Sequence, residues 1–298
     1  MSAYDIFKNI LQSINIPINA INNVSIQGQD PILPTPFLVG EAGAASLAAI
    51  GYLASEIWYL KTKERQDISI SVHDAAIAQK SHQYVKILDG VTQDLWDPIS
   101  GLYQTKDNRW IQFHCNFPHH KAGVLELLKC QDNKEAVTIA TKNFNADYLE
   151  KALSDAGMCA AMVRTNQEWQ EHPQFQATKN LPIIEITKIG NSDPEKIPEG
   201  IRPLSNIKVL DLTRVIAGPV CGRTLAEHGA DVLLVTSPNL PYIMPLVMDT
   251  GHGKLSLHLD LTDKLEREKL LQFVKKSDIF CQSYRPGGLD ALGFSPQK

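Results

Sequence analysis

Strong net charge, paired cysteines and long apolar runs are all lacking in this 298-residue chain. Its 29 basic and 33 acidic side chains give a formal net charge of -4, which argues against a general nucleic-acid binder. The five cysteines lie far apart without a CxxC pair, as is typical of reduced intracellular thiols. No secretory signal is visible, and the apolar stretch 42–60 is interrupted by Ser46, Ser55 and Glu56. We therefore expect a cytoplasmic protein that does not span a membrane.

The composition suits a protein with a substantial core, because 43% of the residues are hydrophobic and 21% are charged. The last third of the chain alternates strand patterns with helix patterns. Predicted strands lie at 207–213, 231–236, 254–259 and 278–283, and predicted helices at 219–228 and 261–276. This alternation indicates parallel βαβ units. We predict an α/β protein with a doubly wound, Rossmann-like parallel sheet and a second, smaller α+β domain.

The first two thirds of the chain give a less regular pattern. A long helix rich in alanine and glycine is predicted at 40–60, and a hairpin is predicted around Lys106, Asp107 and Asn108. Further predicted elements are a strand at 67–72, helices at 73–85, 121–129, 134–144, 147–156 and 166–175, and a strand at 158–164. The predicted division is 1–94, a small α+β domain at 95–189, a proline-rich linker at 190–205 and the βαβ unit at 206–298.

The first βα turn, Thr213 to Pro219, lies where doubly wound sheets bind ligands. Ala217 and Gly218 are small enough to let a ligand approach the backbone, and the following helix presents N–H groups to phosphates. The turn lacks the pattern GxGxxG, which argues against an ordinary NAD site. The residues alone leave open a ligand-binding turn and a plain connector. Asp211 fits a strand-end acid that orders the turn, and Arg214 and Arg285 could meet a phosphate or a carboxylate.

Three segments of the last third together carry a family resemblance. They are IKVLDLTRVIAGPVCGRTLAEHGADVLLVTSP, GKLSLHLDL and DIFCQSYRPGGLDALGFSP. In order and spacing they resemble the family III CoA-transferases (CaiB/BaiF-like), which include formyl-CoA transferase and α-methylacyl-CoA racemase. The resemblance covers about residues 200–298 and implies coenzyme A or acyl-CoA as a bound substrate. The implied contacts are Val215, Ile216, Ala217, Lys254, Ser283, Tyr284 and Pro286. Ser237 and Ser283 depart from the family pattern, which has a charged group and an asparagine there.

The earlier part of this chain resembles the later half of the chain in the same family. The stretch GEAGAASLAAIGYLASEIWYLKTKERQDISISVHDAAIA carries this likeness, and LYQTKDNRWIQFH resembles the family's small domain. The halves therefore occur in swapped order. Two explanations fit: a fused two-copy protein cut short, or one permuted unit that closes on itself or on a partner chain. The resemblance also implies an interlocked homodimer.

Glu41 lies where the family has its nucleophilic aspartate. The resemblance therefore implies that Glu41 attacks an acyl-CoA, so that CoA passes to a carboxylic acid through a carboxylate-bound intermediate. The alternative for Glu41 is a favourable acid in the first turn of a helix. The alternatives for the whole chain are an acyl-CoA racemase or epimerase, a non-catalytic CoA-binding copy, and a truncated copy. The segment HCNFPHH at 114–120 lacks a second ligand cluster at zinc spacing, so no metal is expected.

Overall fold

A computed structural model describes residues 2–18, 21–86 and 95–296 of the chain. The chain divides into two compact units, of which one combines Met1–Leu88 with Pro182–Lys298 and the other is Asp89–Leu181. The predicted domain boundary at residue 94 falls within 87–94, which lie outside the described residues. Within the described part of the chain, no helix is long and apolar enough to cross a membrane. The predicted α/β class is confirmed by helices combined with parallel sheets.

The N-terminal part of the first unit is built around one long helix. Its elements are α1 (Ala3–Ser13), β1 (Val24–Gln27), α2 (Val39–Thr62), β2 (Ile68–Ser71) and α3 (Val72–Ala78). Strands β1 and β2 pair in parallel. Phe7 and Leu11 of α1 are fully buried against alanines of α2. The small side chains of α2 thus let a second helix approach closely.

The C-terminal part of the first unit contains the regular βαβ elements. They are β6 (Lys208–Asp211), α9 (Ala217–Glu227), β7 (Asp231–Thr236), α10 (Met244–Thr250), β8 (Lys254–His258), α11 (Lys264–Val274) and β9 (Ile279–Cys281). All neighbouring strands pair in parallel, in the order β8-β7-β6-β9. This is the order of the first four strands of a doubly wound sheet. Leu210, Leu212, Val235 and Leu270 form the core beside it.

The second unit is an antiparallel sheet covered by helices. Its elements are β3 (Gly101–Gln104), β4 (Trp110–Phe113), α4 (Pro118–Leu128), α5 (Lys134–Thr141), α6 (Ala146–Asp155), β5 (Ala160–Met162), α7 (Asn166–Glu171) and α8 (Pro173–Thr178). The sheet order is β3-β4-β5, and β3 and β4 form the predicted hairpin. Tyr103 and Phe113 stack in the core with ring centroids 5.1 Å apart.

The structure also corrects some predicted elements. The single helix predicted at 166–175 is two helices, because Pro173 has no N–H to continue α7 and instead occupies the first turn of α8. Between α8 and β6, residues 182–207 form neither helix nor strand. Several isoleucines of this segment are solvent-exposed, among them Ile183, Ile186 and Ile201.

Candidate functional site

The strand order of the four-stranded sheet reverses between β6 and β9. From β6 the chain passes to β7 and β8 on one side and then returns to place β9 on the other side of β6. Ligands of doubly wound sheets bind outside the carboxyl ends of the strands at such a point. The two segments that leave these strands, 212–217 and 282–288, are joined at their base, where Leu212 N donates to Cys281 O at 2.8 Å. We call these two segments the cradle.

The first cradle segment is held tightly by Asp211 at the end of β6. Its Oδ1 atom accepts hydrogen bonds from Thr213 N at 2.9 Å and from Thr213 Oγ1 at 2.5 Å. A Cβ on Gly218 would lie 2.3 Å from Thr213 Cβ, so only glycine fits there. Asp211 therefore orders the turn, as its position at the strand end predicts.

Val215 has a left-handed backbone, with φ of 72°. A β-branched residue pays about 1–3 kcal/mol for such a conformation, so the surrounding turn must impose it. Val215 is 47% exposed, and Ile216 is 39% exposed. The turn thus presents two apolar side chains to solvent.

Helix α9 begins directly after these residues, at Ala217. Ile216 is its N-cap residue and makes no side-chain capping bond. The first N–H groups of a helix attract anions, because they carry the positive end of the helix dipole. The cradle therefore combines exposed apolar side chains with an anion-attracting helix end.

Lys254 lies beneath the turn and not on its exposed side. Its ammonium Nζ is 2.9 Å from Asp211 Oδ2 and donates to Pro219 O at 2.8 Å. The Lys254 side chain is 1% exposed, and that of Asp211 is 0% exposed. The direct contact of Lys254 with CoA that the resemblance implies stays a prediction, since the ammonium already bonds to both ends of the turn.

The second cradle segment follows β9 and contains the other predicted contacts. Ser283 and Pro286 are exposed, whereas Tyr284 is half-buried and packs on the core beside the sheet. Burial raises the pKa of Tyr284, and the positive charge of Arg214 opposes this rise. Arg214 in turn donates to Pro241 O. The structure therefore brings Val215, Ile216, Ala217, Ser283, Tyr284 and Pro286 to one edge of the sheet.

Glu41 lies elsewhere in the same unit, in the first turn of α2. Its N–H donates to Asp30 Oδ2 at 2.8 Å, and Gly40 N donates to Asp30 Oδ1 at 3.3 Å. The carboxylate of Asp30 thus caps this helix. Among the described residues, no hydrogen bond or ion pair joins Glu41 to the cradle. Helix α2 packs mainly on α1, α3 and the sheet β1-β2.

Asp30 is a residue that the sequence reasoning missed, and so is a buried polar cluster beside α9. In this cluster Asp249 Oδ2 accepts hydrogen bonds from Ser81 Oγ at 2.8 Å and from Arg223 Nη1 at 3.1 Å. The proline after Asp30 marks a turn, but no sequence signal pairs that residue with a helix eleven positions later. The polar cluster joins positions 168 residues apart, so only the fold reveals it.

The histidine-rich segment lies in the second unit. His120 is buried, and its Nε2 is 3.8 Å from Cys159 Sγ. His119 stacks on Phe117, with ring centroids 6.0 Å apart. Across residues 2–18, 21–86 and 95–296, no three or more histidine, cysteine or acidic side chains are grouped to hold a metal.

Comparison with known proteins gives a family match for the segment that contains the cradle. Residues 204–298 match the family model described as CoA-transferase family III. An acyl-CoA transferase of Gibberella moniliformis is 28% identical over 92% of this chain and 55% of its own length. An acetyl-coenzyme A transferase of Hypoxylon pulicicidum is 31% identical over 66% of this chain and 36% of its own length. The chain therefore spans about half or less of these relatives.

A solved structure from Mycobacterium tuberculosis, described as a hypothetical protein, is also similar. It is 30% identical over 33% of this chain and 29% of its own length, with a TM-score of 0.31. The formyl-CoA:oxalate CoA-transferase of Bradyrhizobium diazoefficiens is 32% identical over 33% of this chain and 26% of its own length. The Gibberella match includes the part before residue 204 together with the family segment, in the order found here.

Proposed function

The chain carries a segment of CoA-transferase family III, residues 204–298, and on this premise we propose that it binds acyl-CoA at the cradle. The observation that carries the proposal is the position of the cradle at the strand-order reversal, within the matched segment. We propose that the protein transfers CoA from an acyl-CoA to a carboxylic acid. The curated relatives named as acyl-CoA and formyl-CoA:oxalate transferases support this reaction class.

The surface of the cradle fits the chemistry of coenzyme A. Val215 and Ile216 are exposed and offer an apolar surface to the pantetheine chain. The N-terminus of α9 and the exposed Arg285 offer positive potential to the phosphates. Ser283, Tyr284 and Pro286 would line the opposite side. In this proposal Lys254 holds the turn in place through its bonds to Asp211 and Pro219.

Glu41 is the proposed nucleophile of the transfer. Its carboxylate would attack the thioester carbonyl of the donor, which forms a mixed anhydride and releases the CoA thiolate. Attack of that thiolate on the Glu41 carbonyl then gives an enzyme-bound CoA thioester and releases the donor carboxylate. The acceptor carboxylate attacks this thioester, which releases the CoA thiolate and forms a second mixed anhydride between Glu41 and the acceptor. Attack of the thiolate on the acceptor carbonyl of this anhydride gives the acceptor-CoA thioester and releases the Glu41 carboxylate.

This reaction requires Glu41 to reach a cradle, and we propose that a second copy of the chain supplies it in a homodimer. The exposed isoleucines of 182–207 support an association, because a run of solvent-facing apolar side chains favours burial against another surface. The mass of the protein in solution, measured by light scattering, tests this part. A monomer at all concentrations would contradict it.

A non-catalytic CoA-binding copy is the second candidate function. Glu41 stands where the family has aspartate, and its side chain is one methylene longer. A displacement of about 1 Å can lower a rate on the order of a hundredfold. Glu41 makes none of the described hydrogen bonds or ion pairs with the cradle, which also favours this candidate.

One experiment distinguishes the two candidates. Binding of CoA is measured by calorimetry, and the protein is then incubated with an acyl-CoA, trapped with hydroxylamine or borohydride and analysed by mass spectrometry. A transferase gives a modified Glu41 peptide, which the variant Glu41→Gln lacks although it still binds CoA. The control Glu64→Gln, at an exposed position, should be modified at Glu41 as the wild type is. An unmodified Glu41 in a protein that binds CoA would leave only the binding function.

A further inference from the structure

Two cysteines that are 60 positions apart in the sequence meet beside the cradle. Cys281 is the last residue of β9 and pairs in register with Asp211 of β6. Cys221 lies in the second turn of α9 and is exposed. A Cβ on the next residue, Gly222, would be 2.2 Å from Asp211 Oδ2, so this turn of α9 is pressed onto the end of β6. Both thiols interact electrostatically with the Asp211–Lys254 ion pair.

The surroundings of the pair make its two thiols unequal. The Cys281 thiol donates a hydrogen bond to the Cys221 sulfur, and this bond, aided by the Lys254 charge, lowers the pKa of Cys221 to about 7 against opposition from burial and Asp211. The same bond and burial raise the pKa of Cys281. A larger fraction of Cys221 than of an ordinary cysteine is therefore thiolate at neutral pH. An exposed thiolate beside a protonated, less exposed thiol is the arrangement of reactive dithiol sites.

The remaining cysteines with shifted pKa values lack this arrangement. Burial raises the pKa of Cys115 to about 11, and burial also raises the pKa of Cys130. These thiols are protonated at neutral pH and react slowly, because the thiolate is the nucleophile. Cys115 and Cys130 can therefore serve as slowly reacting controls within the same chain when the reactivity of Cys221 is measured.

We infer that Cys221 and Cys281 form a thiol–disulfide exchange site, in which Cys221 attacks low-molecular-weight disulfides and Cys281 is the resolving thiol. In the first step the Cys221 thiolate forms a bond to one sulfur of the disulfide RSSR and releases RS⁻. In the second step Cys281 loses its proton to solvent and attacks the Cys221 sulfur, which releases the second RS⁻. The disulfide RSSR is reduced to two thiols, and the two cysteines are oxidised to one protein disulfide.

This site is independent of the proposed acyl transfer, because it needs neither Glu41 nor an acyl-CoA. Formation of the disulfide should nevertheless affect the cradle, because the two cysteines lie beside it. A bond between Cys221 and Cys281 would tie α9 to β9 across the strand-order reversal, from which both cradle segments start. We expect the oxidised protein to bind CoA with an affinity different from that of the reduced protein.

Oxidised glutathione is the probe for the test. The reduced full-length chain is exposed to it at pH 7, then quenched with N-ethylmaleimide, digested and analysed by mass spectrometry. We expect glutathione first on Cys221 and then a Cys221–Cys281 disulfide with loss of two hydrogens. In Cys281→Ser the glutathione adduct on Cys221 should accumulate, and in Cys221→Ser no adduct should form on Cys281. The matched control Cys130→Ser should behave as the wild type does.

The result also depends on pH in a defined way. The rate of alkylation of Cys221 by iodoacetamide should rise at a lower pH than for an ordinary cysteine, whereas Cys115 should stay unreactive at neutral pH. An adduct that forms first on Cys130 or Cys159 would overturn the inference. Folded wild-type protein that forms no Cys221–Cys281 disulfide would also overturn it, whether or not the serine variants fold.

Discussion

The ammonium of Lys254 lies 2.9 Å from Asp211 Oδ2, and both side chains are buried completely or nearly so. This ion pair lies under the turn that forms the cradle. Replacing one partner leaves the other as a buried, unpaired charge, which costs about 3–5 kcal/mol. We therefore expect Lys254→Ala to lower the free energy of unfolding by this amount, as measured by urea denaturation. Lys264→Ala, at a lysine whose side chain is 80% exposed, is the control and should have little effect. Equal losses in the two variants would contradict the role of the pair.

Gly222→Ala tests the packing of α9 on the same ion pair. The new Cβ would lie 2.2 Å from Asp211 Oδ2 and 2.8 Å from Lys254 Nζ, two buried groups that are already bonded to each other. Helix α9 must then shift, at a cost of about 1–3 kcal/mol for overpacking. Because this helix begins at the cradle, CoA affinity measured by calorimetry should fall as well. Gly190→Ala, where nothing lies within 4 Å of the added carbon, should leave both quantities unchanged.

Asp30→Ala tests the cap of the helix that carries Glu41. The two carboxylate oxygens of Asp30 accept from Gly40 N and Glu41 N, and the variant leaves both donors without this partner. Loss of such a cap lowers stability by about 0.5–2 kcal/mol, which thermal unfolding should detect. Asp30→Asn keeps one acceptor oxygen and should lose less. A variant Asp30→Ala as stable as the wild type would show that water replaces the cap.

The stability of the second unit should depend on pH through Glu150. Its Oε1 accepts from Arg164 Nη1 at 2.8 Å and from Met162 N at 2.9 Å. The hydrogen bonds from Arg164 lower the pKa of Glu150 below its ordinary value, 4.5. A lowered folded-state pKa stabilises the fold above the unfolded-state value, and this contribution is lost as the pH falls through the folded-state value.

Glu150→Gln isolates this contribution. At neutral pH the variant should unfold at a lower urea concentration than the wild type does. The difference should shrink as the pH is lowered from about 4.5. If the difference in unfolding between the two proteins stays constant down to pH values where carboxyl groups are protonated, the charge on Glu150 is not the source of the added stability.

The elements that the sequence predicts well are those whose pattern is local. The run of small residues at 40–60 predicts helix α2, which extends over Val39–Thr62. The strands of the βαβ part lie where alternation and β-branched residues place them. Helix α10 was not predicted, because Asp249 and Thr250 are buried polar residues that break an apolar pattern. Asp249 is buried only because Arg223 and Ser81 reach it in the fold.

The candidate site follows the same rule. Each cradle segment directly follows one predicted strand, so the strand pattern locates both segments. The individual contact residues come from the family resemblance and stay predictions. The neighbours of the cradle could not be predicted from the sequence pattern. Asp211 contacts Lys254 across 43 positions, and Cys221 interacts with Cys281 across 60. Contacts at such separations depend on the strand order, which the sequence pattern alone does not determine.

The division of the first unit between two chain segments determines the order in which the protein can form during synthesis. The second unit, Asp89–Leu181, is continuous and leaves the ribosome before β6 does. The first 88 residues must wait for Pro182–Lys298 before their unit is whole. Even within that later segment, β6 cannot gain its neighbour β9 until about 70 further residues are made. We therefore expect the second unit to become protease-resistant first, as soon as residue 181 has left the ribosome, and proteolysis of stalled chains of increasing length measures this.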